Sequence, residues 1–432
     1  MQEDDVPVPH LTTAHSGPLH HIEKIILNKV VDIETWFREK WQETPAPINS
    51  SVDLRHAGYK LAPVDTNLFP AGFNNLNPDF MPLCIQAAQS ALKDYLPTCR
   101  QILILPESHT RNRFYLHSLA ILRDIFTKGG FVVRIGSLDP ELVSSIEVDI
   151  DSNQTLVIEP LLRKGDRVGL ADFDPCVLLL NNDLSNGVPA ILQGLQQLIV
   201  PTPKLGWASR LKSNHFSFFD EVAVEFAQLV DMDPWLINPY FKAFNGIDFM
   251  NQEGIENLAL ETDELLTKIR DKYKKYNIEE QPFVAIKADN GTYGMSVMMV
   301  QDGEQLRQLN RKQRTKMAAS KGGRKVDRVI IQEGVYTFET MPDGGVAEPV
   351  VYMIGQFVVG GFYRVHQARG KDENLNAPGM HFEPLAFAQA CNMPGNNLAV
   401  VDSPNRFYTY GVIARLAALA AAREIAAIGG EL

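Results

Sequence analysis

Residues 282–300, PFVAIKADNGTYGMSVMMV, constrain the fold more than any other part of this chain. Residues 283–286 are apolar and predict a buried strand, and Lys287 would project at its mouth. Gly291 and Gly294 then allow the following loop to turn back with free N–H groups. A fixed cation beside a group of backbone amides suits a polyphosphate. A hairpin without a ligand is the alternative, because a strand followed by an Asp-Asn-Gly turn is common.

Length and charge limit the class of protein. The chain has 432 residues, which is enough for two or three domains. Its composition, with 45% hydrophobic and 22% charged residues, predicts an ordinary globular core. The formal net charge of −11 argues against general nucleic-acid binding, which needs a broad basic face. A local basic pocket for one nucleotide remains compatible with it.

The cysteines and the N-terminus predict a cytoplasmic protein. Cys84, Cys99, Cys176 and Cys391 show no zinc-type spacing, which favours a reducing compartment and small core residues. The first ten residues, MQEDDVPVPH, are unlike a signal peptide, and no apolar run reaches the roughly 18 residues of a membrane span. We therefore expect no membrane partner.

Apolar periodicity divides the chain into five regions. A helix is predicted over residues 30–41, before a proline-rich break. Residues 101–137 then predict a strand, a helix that ends at Gly129-Gly130, and a second strand. A further strand at 175–180 extends this parallel α/β pattern to about residue 230. A charged helix is predicted over residues 256–276. An alanine-rich helix is predicted near the end of the chain, where we expect the alanines to allow close packing. The predicted regions are an N-terminal arm and helix (1–48), a polar substrate and metal segment (49–98), a parallel α/β domain (99–230), a helical connector (231–280) and a nucleotide-binding domain (281–432).

The segment over residues 51–76, SVDLRHAGYKLAPVDTNLFPAGFNNL, is unusually rich in charged, amide, glycine and aromatic residues. Side chains of such polarity usually line a cavity, and a surface loop is the alternative.

Four elements of the last 150 residues resemble, in their order, the ATP-grasp fold: the Lys287 strand, the glycine loop, a strand and hinge at 329–335, and a strand with Arg364 followed by ENLNAPG. This fold places the nucleotide between two α+β lobes, and residues 99–230 would be the preceding α/β domain. The resemblance implies that Lys287 and the loop of Gly291, Thr292 and Gly294 hold the phosphates of ATP. It implies a hinge for adenine and ribose at Gln332, Glu333 and Val335.

The same resemblance assigns Arg364 to the transferred phosphate and to the carboxylate that it activates, a role that suits a forked guanidinium, with a surface salt bridge as the alternative. The run 374–379, NLNAPG, is similar to a loop of glutathione synthetase relatives, which implies a catalytic role for Asn374 and a metal contact for Asn376.

The metal motif expected after the alanine-rich helix is missing, and the N-terminal segment offers a replacement. Asp53, followed by Asp65 and Asn67, has the order of that motif, as in a circular permutation. Carboxylate and amide oxygens suit Mg²⁺, so we predict Asp53, Asp65, Asn67 and Asn376 as its ligands.

Residues 51–76, GWASRLKSNHF and the C-terminal elements together resemble the proteobacterial glutamate-cysteine ligase family. This implies a reaction of ATP, L-glutamate and L-cysteine through γ-glutamyl phosphate to γ-glutamylcysteine, the first step of glutathione biosynthesis. By their chemistry, Arg55 and Lys60 are candidates for the α-carboxylate of glutamate, and Asn74 and Asn75 for polar substrate contacts.

Three alternatives follow from the same residues: a ligase for another carboxylate and amine, a non-catalytic ATP-binding regulatory module, and a Rossmann oxidoreductase. The last is disfavoured because no GxGxxG follows the strand at 101–105. The sequence leaves the oligomeric state open.

Overall fold

The computed structural model describes residues 20–107, 112–150, 154–291, 295–319, 323–385 and 406–429. They form a mixed α/β structure. The α-helices are α1 (His21–Asn28), α2 (Val30–Glu43), α3 (Met81–Tyr95), α4 (Arg113–Lys128), α5 (Lys212–Val230), α6 (Ile255–Lys275), α7 (Glu304–Arg307), α8 (Arg311–Ala318) and α9 (Arg406–Ala427). The predicted helices at 30–41 and 256–276 are confirmed as α2 and α6, and the helix predicted to end at Gly129-Gly130 is confirmed as α4.

The strands are β1 (Asn49–His56), β2 (Leu61–Asn67), β3 (Gln101–Leu105), β4 (Val132–Ser137), β5 (Ile146–Asp149), β6 (Thr155–Pro160), β7 (Leu162–Lys164), β8 (Arg167–Gly169), β9 (Val177–Leu180), β10 (Leu198–Val200), β11 (Phe241–Asn245), β12 (Val284–Ala288), β13 (Val297–Val300), β14 (Arg328–Glu333), β15 (Val346–Ile354), β16 (Phe357–His366) and β17 (His381–Pro384). Strands predicted for the Lys287, hinge and Arg364 segments are confirmed as β12, β14 and β16.

A six-stranded sheet with the order β10-β9-β3-β4-β6-β5 forms the centre of the α/β region. β3 pairs in parallel with both β4 and β9, and β9 with β10, which confirms the parallel pattern. Only β5 at the edge runs antiparallel, against β6. Apolar residues of α3 and α4 pack with those of β3 and β9. The sequence did not predict β5 to β8, which lie between the second strand and β9.

Two antiparallel sheets carry the rest of the chain. A four-stranded sheet has the order β11-β14-β12-β13 and a five-stranded sheet the order β17-β16-β15-β1-β2. Residues 51–76 therefore begin as a strand pair, and β1 pairs with β15 almost 300 residues later in the chain. This pairing brings the N-terminal polar segment into the sheet of Arg364, with β15 between β1 and β16. The five predicted domain boundaries stay a prediction.

Helix α9 packs against α5 and the five-stranded sheet. Six of its eight alanines are buried, and only Ala426 and Ala427 in its last turn are exposed. The buried alanines are Ala414, Ala417, Ala418, Ala420, Ala421 and Ala422. The prediction that these alanines serve close packing is confirmed. No helix in the described ranges has both the length and the apolar character needed to cross a membrane.

Two cysteines are not the small core residues that we predicted. Cys99 and Cys176 form a disulfide with a Cα–Cα distance of 5.7 Å, although 77 residues separate them. They precede β3 and β9, and because these strands are neighbours, their amino ends meet. Cys84 is buried and free, as predicted, and Cys391 lies outside the described residues. The cytoplasmic location stays a prediction.

Candidate active site

A cleft lies between the four-stranded and the five-stranded sheets and is lined by residues of both. Most of the predicted catalytic, nucleotide-binding, substrate-binding and metal-binding residues line it. They are Asp53, Arg55, Asp65, Lys287, Gly291, Gln332, Glu333, Val335, Arg364, Asn374 and Asn376. Thr292 and Gly294 lie outside the described residues.

The two-residue period of β-strands explains how the N-terminal segment reaches the cleft. Asp53 and Arg55 alternate with the buried Leu54 and point to the same face of β1. Asp65 lies opposite Asp53 in the β1–β2 register. Since directly opposed residues share a face, both carboxylates face the cleft.

Lys287 lies at the end of its strand, as the sequence predicted. Its Nζ donates to the carbonyl oxygen of Val64 at 2.9 Å and to Oε1 of Gln332 at 2.6 Å. Burial lowers the pKa of Lys287 to about 8, although the nearby Asp65 carboxylate partly counteracts this effect. A second anion in the cleft, such as a phosphate, would therefore stabilise the charged ammonium.

Arg364 belongs to a chain of buried charges, and not to the surface salt bridge of the alternative interpretation. Its Nη1 donates to Asp53 at 2.9 Å and to Glu348 at 2.6 Å, and Glu348 also accepts from Nε of Arg55 at 2.7 Å. Burial raises the pKa of Asp53 despite the attraction of Arg364. Burial acts in the same direction on Glu348, but the guanidinium groups of Arg55 and Arg364 outweigh it and hold the pKa of Glu348 below its usual value.

Arg55 binds the protein itself with most of its donors. Its Nη1 donates to the carbonyl oxygens of Val335 at 3.2 Å and Lys371 at 3.3 Å, and its Nη2 donates to the carbonyl oxygen of Glu373. Together with the bond to Glu348, these contacts use four of the five guanidinium N–H groups. Arg55 therefore connects the hinge to the loop that carries Asn374 and Asn376.

Glu333 lines the cleft, but three groups already bind its carboxylate. They are the Nζ of Lys60 at 2.9 Å, the indole N–H of Trp235 at 3.0 Å and the backbone N–H of Tyr240 at 2.8 Å. Lys60 is only 1% exposed and lies outside the cleft lining. Burial lowers the pKa of Lys60 to about 8.

The structure also places three predicted amide side chains away from the cleft lining. Asn74 donates to Asn75 at 3.2 Å within a single 3₁₀ turn, which α4 supports through Ser118. The Oδ1 of Asn67 accepts hydrogen bonds from the backbone N–H of Phe69 and from the indole N–H of Trp207. Their substrate and metal roles stay predictions.

The residues that could hold a divalent cation fit its chemistry in part. Asp53, Asp65 and Asn376 present hard oxygen donors to one cleft. Across the described ranges, no three His, Cys, Asp or Glu side chains are grouped closely enough to bind a metal by themselves. Mg²⁺ that arrives with a nucleotide needs only one or two protein carboxylates, and the cleft supplies them.

Sequence reasoning missed Lys212 and Glu348 as cleft residues. Lys212 is the first residue of α5, and its Nζ contacts both carboxylate oxygens of Asp65 at 2.7 Å. Burial raises the pKa of Asp65, but Lys212 and Lys287 outweigh it and hold this pKa below its usual value. The run GWASRLKSNHF contained the only sequence signal for Lys212, whereas Glu348 stands in an apolar strand that indicated nothing.

The family model for glutamate-cysteine ligase matches residues 23–425 of the chain. The chain belongs to the glutamate-cysteine ligase family. Members of this family are ATP-dependent ligases. The predicted family and the prediction that the protein is an enzyme are both confirmed.

Solved structures agree with this family. A crystal structure from Methylobacillus flagellatus KT, provisionally named gamma-glutamylcysteine synthetase, is 56% identical with a TM-score of 0.88, and the match covers 98% of this chain and 99% of that one. D-alanyl-alanine synthetase A from Vibrio cholerae is 9% identical over 74% of this chain and 81% of its own, and its TM-score of 0.34 supports no argument about the fold. The ATP-grasp assignment and the circular permutation therefore stay predictions. A comparison with curated proteins gave no significant match.

Proposed function

We propose that this cleft joins L-glutamate to L-cysteine at the expense of ATP. The γ-carboxylate of glutamate attacks the γ-phosphorus of ATP and ADP leaves, which gives γ-glutamyl phosphate. The amine of cysteine then attacks the acyl carbon, loses a proton and displaces phosphate. The product is γ-glutamylcysteine, the first intermediate of glutathione biosynthesis. No protein nucleophile is required, because the enzyme only has to neutralise charge and align the reacting groups.

Arg364 carries this proposal. It is 8% exposed, lines the cleft, and its Nε finds no acceptor among the described residues. A buried guanidinium with an open donor favours an anionic ligand, since an unsatisfied buried donor costs about 1–3 kcal/mol. We assign this donor to the transferred phosphoryl group or to the γ-carboxylate that attacks it.

The remaining cations of the cleft fit the polyphosphate of ATP. Lys287 and Lys212 are both close enough to Asp65 to lower the pKa of its carboxyl group, and Gly291 lines the same cleft. Gln332 has an open donor as well, because its Nε2 has no acceptor among the described residues. At the hinge this amide can donate to the nucleotide base, which supports the predicted position of adenine.

The predicted Mg²⁺ would be held by Asp65 and Asp53, with Asn376 as an amide donor. When bound, Mg²⁺ would neutralise negative charge on the phosphates of ATP during transfer. In the structure Arg364 donates a hydrogen bond to Asp53, and Lys212 forms an ion pair with Asp65.

Phosphate release and product mass test this proposal. The enzyme is supplied with ATP and Mg²⁺ together with glutamate alone, cysteine alone, or both, and the product is identified by mass spectrometry. We expect release only with both amino acids and a γ-linked dipeptide. Arg364→Lys should reduce kcat by about 100-fold, as is usual when a positioned donor is lost. Arg134→Lys is the control, because Arg134 pairs with Glu159 on the six-stranded sheet.

Other outcomes would overturn the proposal in different ways. Turnover with a different acid and amine would keep the ligase chemistry and change the substrates. Nucleotide binding without turnover for any pair would instead favour a regulatory module.

A further inference from the structure

Lys212 has a position that phosphate binding alone does not explain. It starts the 19-residue helix α5, and the first turn of this helix contains no acidic residue. A cation at a helix N-terminus is unfavourable because the positive end of the helix dipole lies there. The side chain must therefore be stabilised by other groups.

Asp65 and one aromatic ring provide this stabilisation. The Nζ of Lys212 lies 2.7 Å from both carboxylate oxygens of Asp65 and 4.3 Å from the centroid of the Trp207 ring. The backbone N–H of Lys212 donates to the carbonyl oxygen of Asp289 at 2.8 Å, which fixes the start of the helix. The ammonium thus covers both oxygens of the carboxylate that faces the cleft.

Asp65 is also the acid of the cleft that an ion in solvent can reach most easily. Its side chain is 37% exposed, compared with 22% for Asp53 and 4% for Glu348. Asp53 and Glu348 bind arginines, which have many donors and fixed geometry. Lys212 is instead a single point charge on a flexible stem.

Lys287 forms a useful contrast. Neutral oxygens of Val64 and Gln332 hold its Nζ, so no carboxylate has to release it when a ligand arrives. Lys212 has to leave Asp65 before this carboxylate can coordinate a metal. The two lysines of the cleft therefore differ: Lys212 must leave a carboxylate before a metal can bind there, and Lys287 does not.

We propose that Lys212 occupies the cation position at Asp65 until a nucleotide arrives. A divalent cation alone must displace the ammonium from both oxygens and leave it close to a like charge. When the cation arrives with a polyphosphate, the displaced ammonium gains phosphate oxygens as new partners. Binding of metal and nucleotide is thereby coupled, and metal alone binds weakly. This inference rests on the proposed function for the identity of the nucleotide site.

Mn²⁺ binding to the full-length protein without nucleotide tests the coupling. Free Mn²⁺ is measured by electron paramagnetic resonance in wild type and in Lys212→Met, which keeps an aliphatic stem against Trp207. The Kd for Mn²⁺ should fall about tenfold or more in Lys212→Met, because removal of a like charge at a few ångströms is a large electrostatic effect. The matched control is Lys204→Met, since Lys204 contacts carbonyl oxygens of residues 428 and 429 and not the cleft.

Two further variants keep the inference falsifiable. Lys212→Gln replaces the first variant if circular dichroism shows that the methionine variant is misfolded. Asp65→Asn in the Lys212→Met background should remove the gain. Adenylyl imidodiphosphate should lower the Kd for Mn²⁺ in wild type by a larger factor than in Lys212→Met, because the coupling factor is what Lys212 provides.

An unchanged Kd in both Lys212 variants would overturn the inference, and so would a gain that persists after Asp65→Asn. These readouts do not depend on catalysis. If wild type ligates its substrates and Lys212→Met binds Mn²⁺ as wild type does, this inference alone is wrong. If wild type shows no ligation and the gain is still observed, the proposed function is wrong and the ion competition at Asp65 stands.

Discussion

Replacement of Glu348 by glutamine should destabilise the protein and slow phosphoryl transfer. Glu348 is 3% exposed, and its two oxygens bind Arg55 at 2.7 Å and Arg364 at 2.6 Å. Glutamine keeps the volume and one acceptor oxygen but removes the negative charge between two buried guanidinium groups. Loss of one partner from a buried ion pair typically costs about 3–5 kcal/mol.

This energy corresponds to a measurable shift of the melting temperature. The unfolding entropy of a chain of 432 residues is about 0.9 kcal/mol per kelvin, so Tm should fall by about 3–5 °C. Differential scanning calorimetry measures the shift. Because Glu348 also orients Arg364, kcat of ligation should fall by about tenfold or more while the KM for ATP changes little.

Glu256→Gln is the matched control for this experiment. Glu256 accepts two hydrogen bonds from Arg307, but its side chain is 64% exposed, and exposed pairs contribute little to stability. Its Tm should stay within about 1 °C of wild type. If Glu348→Gln shifted Tm no more than this control does, the argument from the buried charge chain would be wrong.

Three further predictions concern pH and the disulfide. Because burial lowers the pKa of Lys287 to about 8, ATP affinity measured by calorimetry should fall as the pH rises through this value, and Lys287→Arg should abolish the fall. An equally steep decline in the arginine variant would refute this. Dithiothreitol should lower Tm by a few degrees, since a crosslink over 77 residues is worth about 4 kcal/mol in the chain-entropy model, whereas Cys99→Ser/Cys176→Ser should not respond. A response of the double variant would contradict the disulfide. Burial raises the pKa of Glu424, but the neighbouring charge of Arg210 outweighs it and lowers this pKa to about 2. The stability that this carboxylate provides is therefore complete above about pH 4.5 and is lost as the pH falls towards 2. Urea midpoints of Glu424→Gln and wild type should therefore differ at pH 7 and converge in acid, and a constant difference would refute the assignment.

Local sequence predicted the parts of the site that depend on strand and turn chemistry. Lys287 is the next-to-last residue of an apolar strand and Gln332 of the strand beside it, so both positions follow from hydrophobic runs and their boundaries. The two-residue period likewise places Asp53 and Arg55 on one face. These residues all line the cleft.

Long-range pairing decided which partner each charged group has. The role of Arg55 and Lys60 in binding a substrate carboxylate stays a prediction. In the fold Arg55 pairs with Glu348 and Lys60 pairs with Glu333, and neither pairing was predicted. Such partners lie about 270 to 290 residues apart, and no local pattern reveals them. The disulfide has the same origin, because adjacent parallel strands bring the two cysteines together.

The sequence by itself determined the family, many of the individual elements and the position of the Lys287 strand, because hydrophobic period, glycine turns and short motifs act over a few residues. The tertiary structure alone decided that β1 and β2 join β15 and β16 in one sheet and that α5 brings Lys212 to Asp65. The physical reason is that the charge and accessibility of a buried polar group depend on its neighbours in space. Only the pairing of distant strands sets these neighbours.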